Sequence, residues 1–285
     1  MEYEIKSYDH HQKAGNQGDI CKHVALVAAL HETVSRVGRS PFRFADLYAG
    51  YAKNPIVEGN EWPDGIAKLA GEHLLKGNGH IKLWAALAGL NKAPRVGGFY
   101  PGSALFATQV CDQLSVGCEL SLWDTGAEPF KDLTATFRSG HHIFNRAAAP
   151  DELAINGADF VFIDPPDKAE HTWMTICEHI GNLRPAQSLL IWLPVAVNTR
   201  TKPPTEDKMS AQCRSDFFAV CINDVNGLRR SLGVTKIRWA KGGRTIGCQR
   251  LYCVNASAQH ALREAVDEVV GIAGWPAEQC RHYDP

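Results

Sequence analysis

Hydrophobic and polar positions alternate along this chain in a way that separates helices from strands. In "DICKHVALVAALHETVSRVG", Ile20, Val24, Val27, Leu30 and Val34 recur at helical spacing. This predicts an amphipathic helix capped by Asp19 and stopped at Gly38. "FRFADLYAG" (42–50) reads as an apolar-biased strand ending at Asp46, with a turn at Gly50. Residues 51–98 change character: helical patches, "PDGIAKLAGEHLL" and "HIKLWAALAGL", are broken by Gly and Pro and predict a small helical insertion.

Beyond Tyr100 the pattern is regular. Helices are predicted at "GSALFATQVCDQL", "EPFKDLTATFRSG" and "EHTWMTICEHIGNL", and strands at "CELSLWD", "HHIFNR", "DFVFIDPP" and "SLLIWLPV". Two late strands, "TKIRWAKG" and "QRLYCVN", have no long helix between them, and "SAQHALREAVDEVVGIAG" is expected to close the chain as a helix. Strands separated by helices of this length predict an α/β fold with a doubly wound, mostly parallel sheet, and the late pair predicts an antiparallel C-terminal hairpin. Residues 1–285 are expected to form a single domain, with the insertion at about 51–98 inside it.

Composition narrows the picture modestly. Of 285 residues, 45% are hydrophobic and 21% charged, and the net charge of -1 offers no global basic field for nucleic acid. The nine cysteines show no C-x-x-C spacing and read as reduced, buried thiols. The pairs His10–His11 and His141–His142 lack the i, i+4 spacing of helical metal ligands, so no metal site is expected. No signal peptide or membrane-length apolar run is present, and the expectation is a cytoplasmic protein, a monomer, with no membrane partner.

Three acids fall at predicted strand ends: Asp46, Asp124 and Asp164. In doubly wound sheets that edge is where ligands bind, and an acid ending the second strand of the alternation suits ribose hydroxyls. Asp also favours turns, so position alone leaves a capped strand end open as a reading. "DPP" sharpens the third acid. Pro165 and Pro166 have no N–H and stiffen the backbone where the strand opens, so the Asp164 carboxylate and the proline carbonyls can face a substrate amine together.

In order along the chain, "SYDHHQKAGNQGDICKH" (7–23), "FADLYAG" (44–50), "YPGSALFATQ" (100–109), "FIDPPD" (162–167) and "IWLPV" (191–195) resemble the bacterial 23S ribosomal RNA adenine-N6-methyltransferase family. With the insertion and the late hairpin, the resemblance covers nearly the whole chain. It implies a Rossmann-like methyltransferase fold, S-adenosyl-L-methionine as cofactor, and methyl transfer to the exocyclic amine of an adenine in ribosomal RNA.

Position by position, the resemblance implies that Asp164 is the catalytic aspartate and Asp124 the ribose-binding acid. His23 and Ser103 match cofactor contacts, and Tyr8 matches a tyrosine that recognises the RNA substrate. Tyr48 stands where the family has a cofactor-contacting histidine, Ala52 where a second glycine falls, and Ala148 where an acid receives the cofactor's adenine amine. Asp167 replaces the aromatic that follows the second proline. These departures leave two alternatives open: a binding module that keeps the fold, or a methyltransferase with another acceptor.

The chemistry needs acceptors for the amine hydrogens, supplied here by Asp164 and the Pro165 carbonyl, and orientation of the reacting atoms. A flipped base is normally held by stacking worth about 1–3 kcal/mol, which Asp167 cannot provide. Arg36, Arg39 and Arg43, "LRR" (228–230) and "RWAKGGR" (238–244) are the basic groups that could meet RNA phosphates, although ordinary solvated surface is the commoner use of such residues.

Overall fold

The computed structural model describes residues 14–69, 71, 74, 77–137, 139–165, 178–179, 182–184, 187–195, 197–198, 205–206, 232–241, 244–254, 256–275 and 280–283. The first helix, α1 (Gln17–Val37), begins three residues before the expected start. Asn16, not Asp19, is its cap: the Asn16 side chain accepts the Asp19 N–H, and Asp19 in turn accepts the Gly15 N–H at 2.9 Å. Gly38 ends the helix at φ 60°, donating to the Val34 carbonyl, as its position predicts.

Twelve strands are described: β1 (Phe42–Asp46), β2 (Lys53–Pro55), β3 (Phe99–Pro101), β4 (Cys118–Trp123), β5 (His142–Phe144), β6 (Phe160–Ile163), β7 (Ser188–Val195), β8 (Val197–Asn198), β9 (Thr205–Glu206), β10 (Leu232–Lys241), β11 (Arg244–Val254) and β12 (Cys280–Tyr283). The helices after α1 are α2 (Ile66–Leu69), α3 (Gly79–Leu87), α4 (Ser103–Gln113), α5 (Ala127–Thr136), α6 (Leu153–Gly157) and α7 (Ala256–Ile272). Eight strands form one sheet in the order β12-β10-β11-β7-β6-β1-β4-β5. Pairing is parallel from β7 to β5 and antiparallel from β7 through β11 and β10 to β12. This is the expected Rossmann-like architecture: a doubly wound, mostly parallel sheet with an antiparallel C-terminal hairpin.

Side chains alternate across the sheet as strand geometry requires. Phe42, Phe44, Leu120, Leu122, Phe160, Phe162, Leu190 and Trp192 point into one core with α1, α4 and α7, whereas Ala45, Trp123, Val161, Ile163, Leu189 and Ile191 point into a second with α6. Both faces of the central strands are therefore covered. That explains why "FVFI" is apolar at every position rather than alternating. Phe44 and Phe160 stack across neighbouring strands at 5.9 Å between ring centroids.

Three features depart from the sequence reading. α1 is buried all round from Asp19 to Leu30, because sheet and helices enclose it, so its period-3.6 pattern understates its burial. β2 and β3 pair as a short antiparallel ribbon at the two ends of the 51–98 segment. The chain does not close on α7, since β12 returns to the sheet beside β10. Cys21 and Cys111 are buried free thiols, as expected. Among the described residues, no helix is long and apolar enough to cross a membrane.

Candidate functional site

The chain runs β1, β4, β5 to one side and returns to β6 on the other side of β1, so the switch point lies between β1 and β6. Asp46 is in register with Leu122 of β4 and Phe162 of β6. Asp124 and Asp164 each lie two residues beyond those partners. The two acids therefore flank the carboxyl end of β1 at equal depth, on the edge where doubly wound sheets bind ligands.

Asp164 is held from above by α1. Lys22 Nζ lies 2.6 Å from Asp164 Oδ2 and 2.9 Å from Asp19 Oδ1, with only 5% of its side chain exposed. Burial works against the charge on Lys22, but Asp164 and then Asp19 outweigh it and push the ammonium pKa up. Lys22 was not singled out by sequence. Its signal was available, since a lysine inside an apolar helical run, three residues after Asp19, needs a buried counter-charge. Pro165, directly after Asp164, is buried.

Asp46 is a different kind of acid. It is fully buried and faces inward: Ser103 Oγ donates to its Oδ2 at 2.5 Å, and the Tyr48 N–H donates to its Oδ1 at 3.0 Å. Burial pushes its carboxyl up to about 7, against these two hydrogen bonds that lower it. Ser103, the first residue of α4, thus commits its hydroxyl to Asp46 and does not cap its own helix.

Asp124, partly buried, fixes the loop after β1. Its Oδ2 accepts from Gly50 N at 2.9 Å and its Oδ1 from Gly126 N at 2.6 Å. Gly50 sits at φ 60° with open space where a Cβ would project. The neighbouring Ala52 lies outside the positive-φ region, so alanine in place of a second glycine costs the backbone nothing there. Gly102, by contrast, is required: a Cβ on it would lie 1.9 Å from the Tyr51 carbonyl oxygen, and its N–H donates to Ala52 O at 2.8 Å.

His23, next to Lys22, turns the other way. Its Nδ1 is 3.1 Å from the Tyr100 hydroxyl and its ring packs on Phe106. Tyr48 and Ala148 pack against the same apolar cluster, which includes Trp123. Glu152 ties that loop down by accepting from Ala149 N and Trp123 Nε1 and pairing with Arg146. Tyr8 and Asp167 lie outside the described residues.

Arg39 pairs with Asp159 and Arg43 with Glu119, while Arg36 donates to Ser188, all near the amino-terminal ends of the strands. They do not form a phosphate-binding face beside Asp164. A cavity of about 280 Å³ lined by Arg43, Glu119, His142 and Leu153 lies at that same far end, away from the three acids.

No protein-family model matches the chain, and no curated protein sequence matches it. Among solved structures, a Legionella pneumophila protein described by family-model DUF519 superposes with a TM-score of 0.67 at 14% identity, over 95% of this chain and 97% of that one. A putative class I S-adenosylmethionine-dependent methyltransferase from Listeria monocytogenes gives 0.42 at 12% identity, over 86% and 62% of the two chains. The plantazolicin methyltransferase BpumL in complex with SAH gives 0.37 at 8% identity, over 84% and 85%. The Legionella likeness spans both chains almost completely, and what it establishes is a shared fold.

Proposed function

We propose that the protein is an S-adenosyl-L-methionine-dependent methyltransferase acting on the exocyclic amine of an adenine in ribosomal RNA. The observation that carries this reading is Asp164: a carboxylate at the carboxyl end of β6, beside the switch point, charge-paired to a buried lysine and followed by a proline with no N–H to offer.

The carboxyl edge suits the cofactor in its donor set. Asp124 is braced by two backbone amides, so its carboxylate is pre-oriented, and each oxygen keeps a further lone pair for a ribose hydroxyl. The open space over Gly50 gives room for that sugar. The cofactor, when bound, supplies an already activated methyl group. His23, Tyr48, Ser103 and Ala148 are the remaining residues assigned to its pocket through the family resemblance.

On the acceptor side, Lys22 holds Asp164 Oδ2 and leaves Oδ1 to accept a hydrogen bond from the amine, with the Pro165 carbonyl as a second acceptor. Both favour the nitrogen as positive charge develops on it. With 18% of its side chain exposed, Asp164 can take the departing proton and pass it to solvent. Tyr8 and Asp167 are assigned to the RNA side by the resemblance alone.

Calorimetric titration of the full chain with S-adenosylmethionine tests the cofactor assignment. One site of micromolar affinity is expected, weakened in Asp124→Ala. Absence of heat at millimolar cofactor contradicts the proposal and favours a binding module that retains only the fold.

A further inference from the structure

On the side of α1 remote from Asp164, two histidines and a glutamate converge between α1 and the 51–98 segment. His31 and Glu32 lie in the last third of α1, and His80 is the second residue of α3. One nitrogen of each histidine and one oxygen of Glu32 all lie within 4.8 Å of one another. Glu32 Oε1 is the shared vertex, 3.6 Å from His31 Nδ1 and 3.3 Å from His80 Nε2.

These spacings are long for N–H···O hydrogen bonds, which centre near about 2.9 Å. They suit a different geometry. A tetrahedral ion bound at about 2.0–2.1 Å separates neighbouring ligand atoms by roughly 3.3–3.4 Å. His31 Nδ1 is shielded from solvent and has no hydrogen-bond partner among the described residues. The two imidazole rings meet edge-on, at 80°, rather than stacked, so their nitrogens can aim at a common point.

The backbone holds the cluster in place. Asn78 caps α3 by accepting from His80 N and Ile81 N, and its own N–H donates to Glu268 of α7 at 2.7 Å. Side-chain exposures of 32%, 34% and 20% for His31, Glu32 and His80 leave an entry path from solvent.

We propose that His31, Glu32 and His80 form a site for a divalent transition-metal ion, Zn2+ by its two-imidazole, one-carboxylate donor set, with water in the fourth position. The ion fastens α3 to α1, the helix that carries Lys22 and His23. This site is independent of methyl transfer, which needs no metal.

The test uses full-length protein stripped with a chelator and titrated with Zn2+ by calorimetry, alongside Glu32→Gln and His80→Ala. Co2+ absorption reports the coordination geometry. Wild type is expected to bind one equivalent that either variant weakens by more than about 100-fold, the upper end of what losing even an outer-shell partner costs. The melting temperature of wild type, but not of Glu32→Gln, is expected to rise with Zn2+. Equal binding by wild type and a variant with native circular dichroism, which puts the zinc on other side chains, overturns the proposal. So does a wild type that neither binds Zn2+ nor gains melting temperature. Should His80→Ala fail to fold, the Glu32→Gln comparison decides alone.

Discussion

Lys22 Nζ lies 2.6 Å from Asp164 Oδ2, joining the first helix of the chain to the carboxyl end of a strand that begins at residue 160. The pair is asymmetric. Lys22 faces a second carboxylate, Asp19, in addition to Asp164.

Removing either partner is therefore predicted to act differently. Asp164→Asn leaves Lys22 paired to Asp19, so folding and cofactor binding should stay near wild type while methyl transfer is lost. Lys22→Met removes the cation that both carboxylates face in this largely enclosed site and is expected to cost about 3–5 kcal/mol of stability. Urea unfolding of both variants checks this. A stable Lys22→Met, or a strongly destabilised Asp164→Asn, contradicts the reading.

The raised pKa of Asp46 predicts a pH-dependent stability. The folded carboxyl titrates near 7 and the unfolded one near 3.8. Between these values the folded state holds a proton that the unfolded chain has released, so this group's contribution is greatest at the acid end and is lost as pH rises to about 7. At roughly 1.4 kcal/mol per pH unit the loss amounts to a few kcal/mol. Asp46→Asn keeps an acceptor for Tyr48 N and gives Ser103 Oγ an amide donor. It should flatten the wild-type slope between pH 4 and 7, measured by urea unfolding across that window. Parallel slopes for the two proteins exclude the assignment.

Gly102 and Gly50 should respond to alanine for different reasons. At Gly102 the new Cβ meets the Tyr51 carbonyl at 1.9 Å, so the backbone must shift and the β3–α4 turn should lose about 1–3 kcal/mol or more. At Gly50 there is space but φ is 60°, and the cost is the left-handed penalty of roughly 1–2 kcal/mol. Thermal unfolding gives both stabilities, and cofactor titration should show Gly102→Ala more impaired than its stability alone explains, because the turn carries Ser103.

Much of this was legible in the sequence because periodicity reports burial. "FVFI", "FRFAD" and "CELSLW" became adjacent parallel strands, and the acids Asp164 and Asp124 came level because parallel register sets those strand ends side by side, with Asp46 two residues deeper. What escaped detection was relational. Nothing local marks Lys22 as the partner of a residue 142 positions away, nor Ser103 as a donor to Asp46 rather than a helix cap. β12 is four residues long, and its place beside β10 is a matter of tertiary pairing that local pattern does not carry. The arginines 36, 39 and 43 read as a basic group by count, but each is engaged at the opposite end of the sheet.

Asp167 stands where the resembling family places an aromatic. If base stacking at that position limits activity, Asp167→Tyr should raise turnover on an adenine-containing RNA by about 5- to 150-fold, equivalent to roughly 1–3 kcal/mol of stacking. A fall in turnover assigns Asp167 a role of its own and favours a different acceptor.

The most direct test of the central claim is transfer of an isotopically labelled methyl group from S-adenosylmethionine to ribosomal RNA, with the product base identified by mass spectrometry. Wild-type protein is predicted to deposit label as N6-methyladenine at one position in 23S RNA, and folded Asp164→Asn to deposit none. Label on another base, no label from folded wild type, or undiminished transfer by Asp164→Asn contradicts the account.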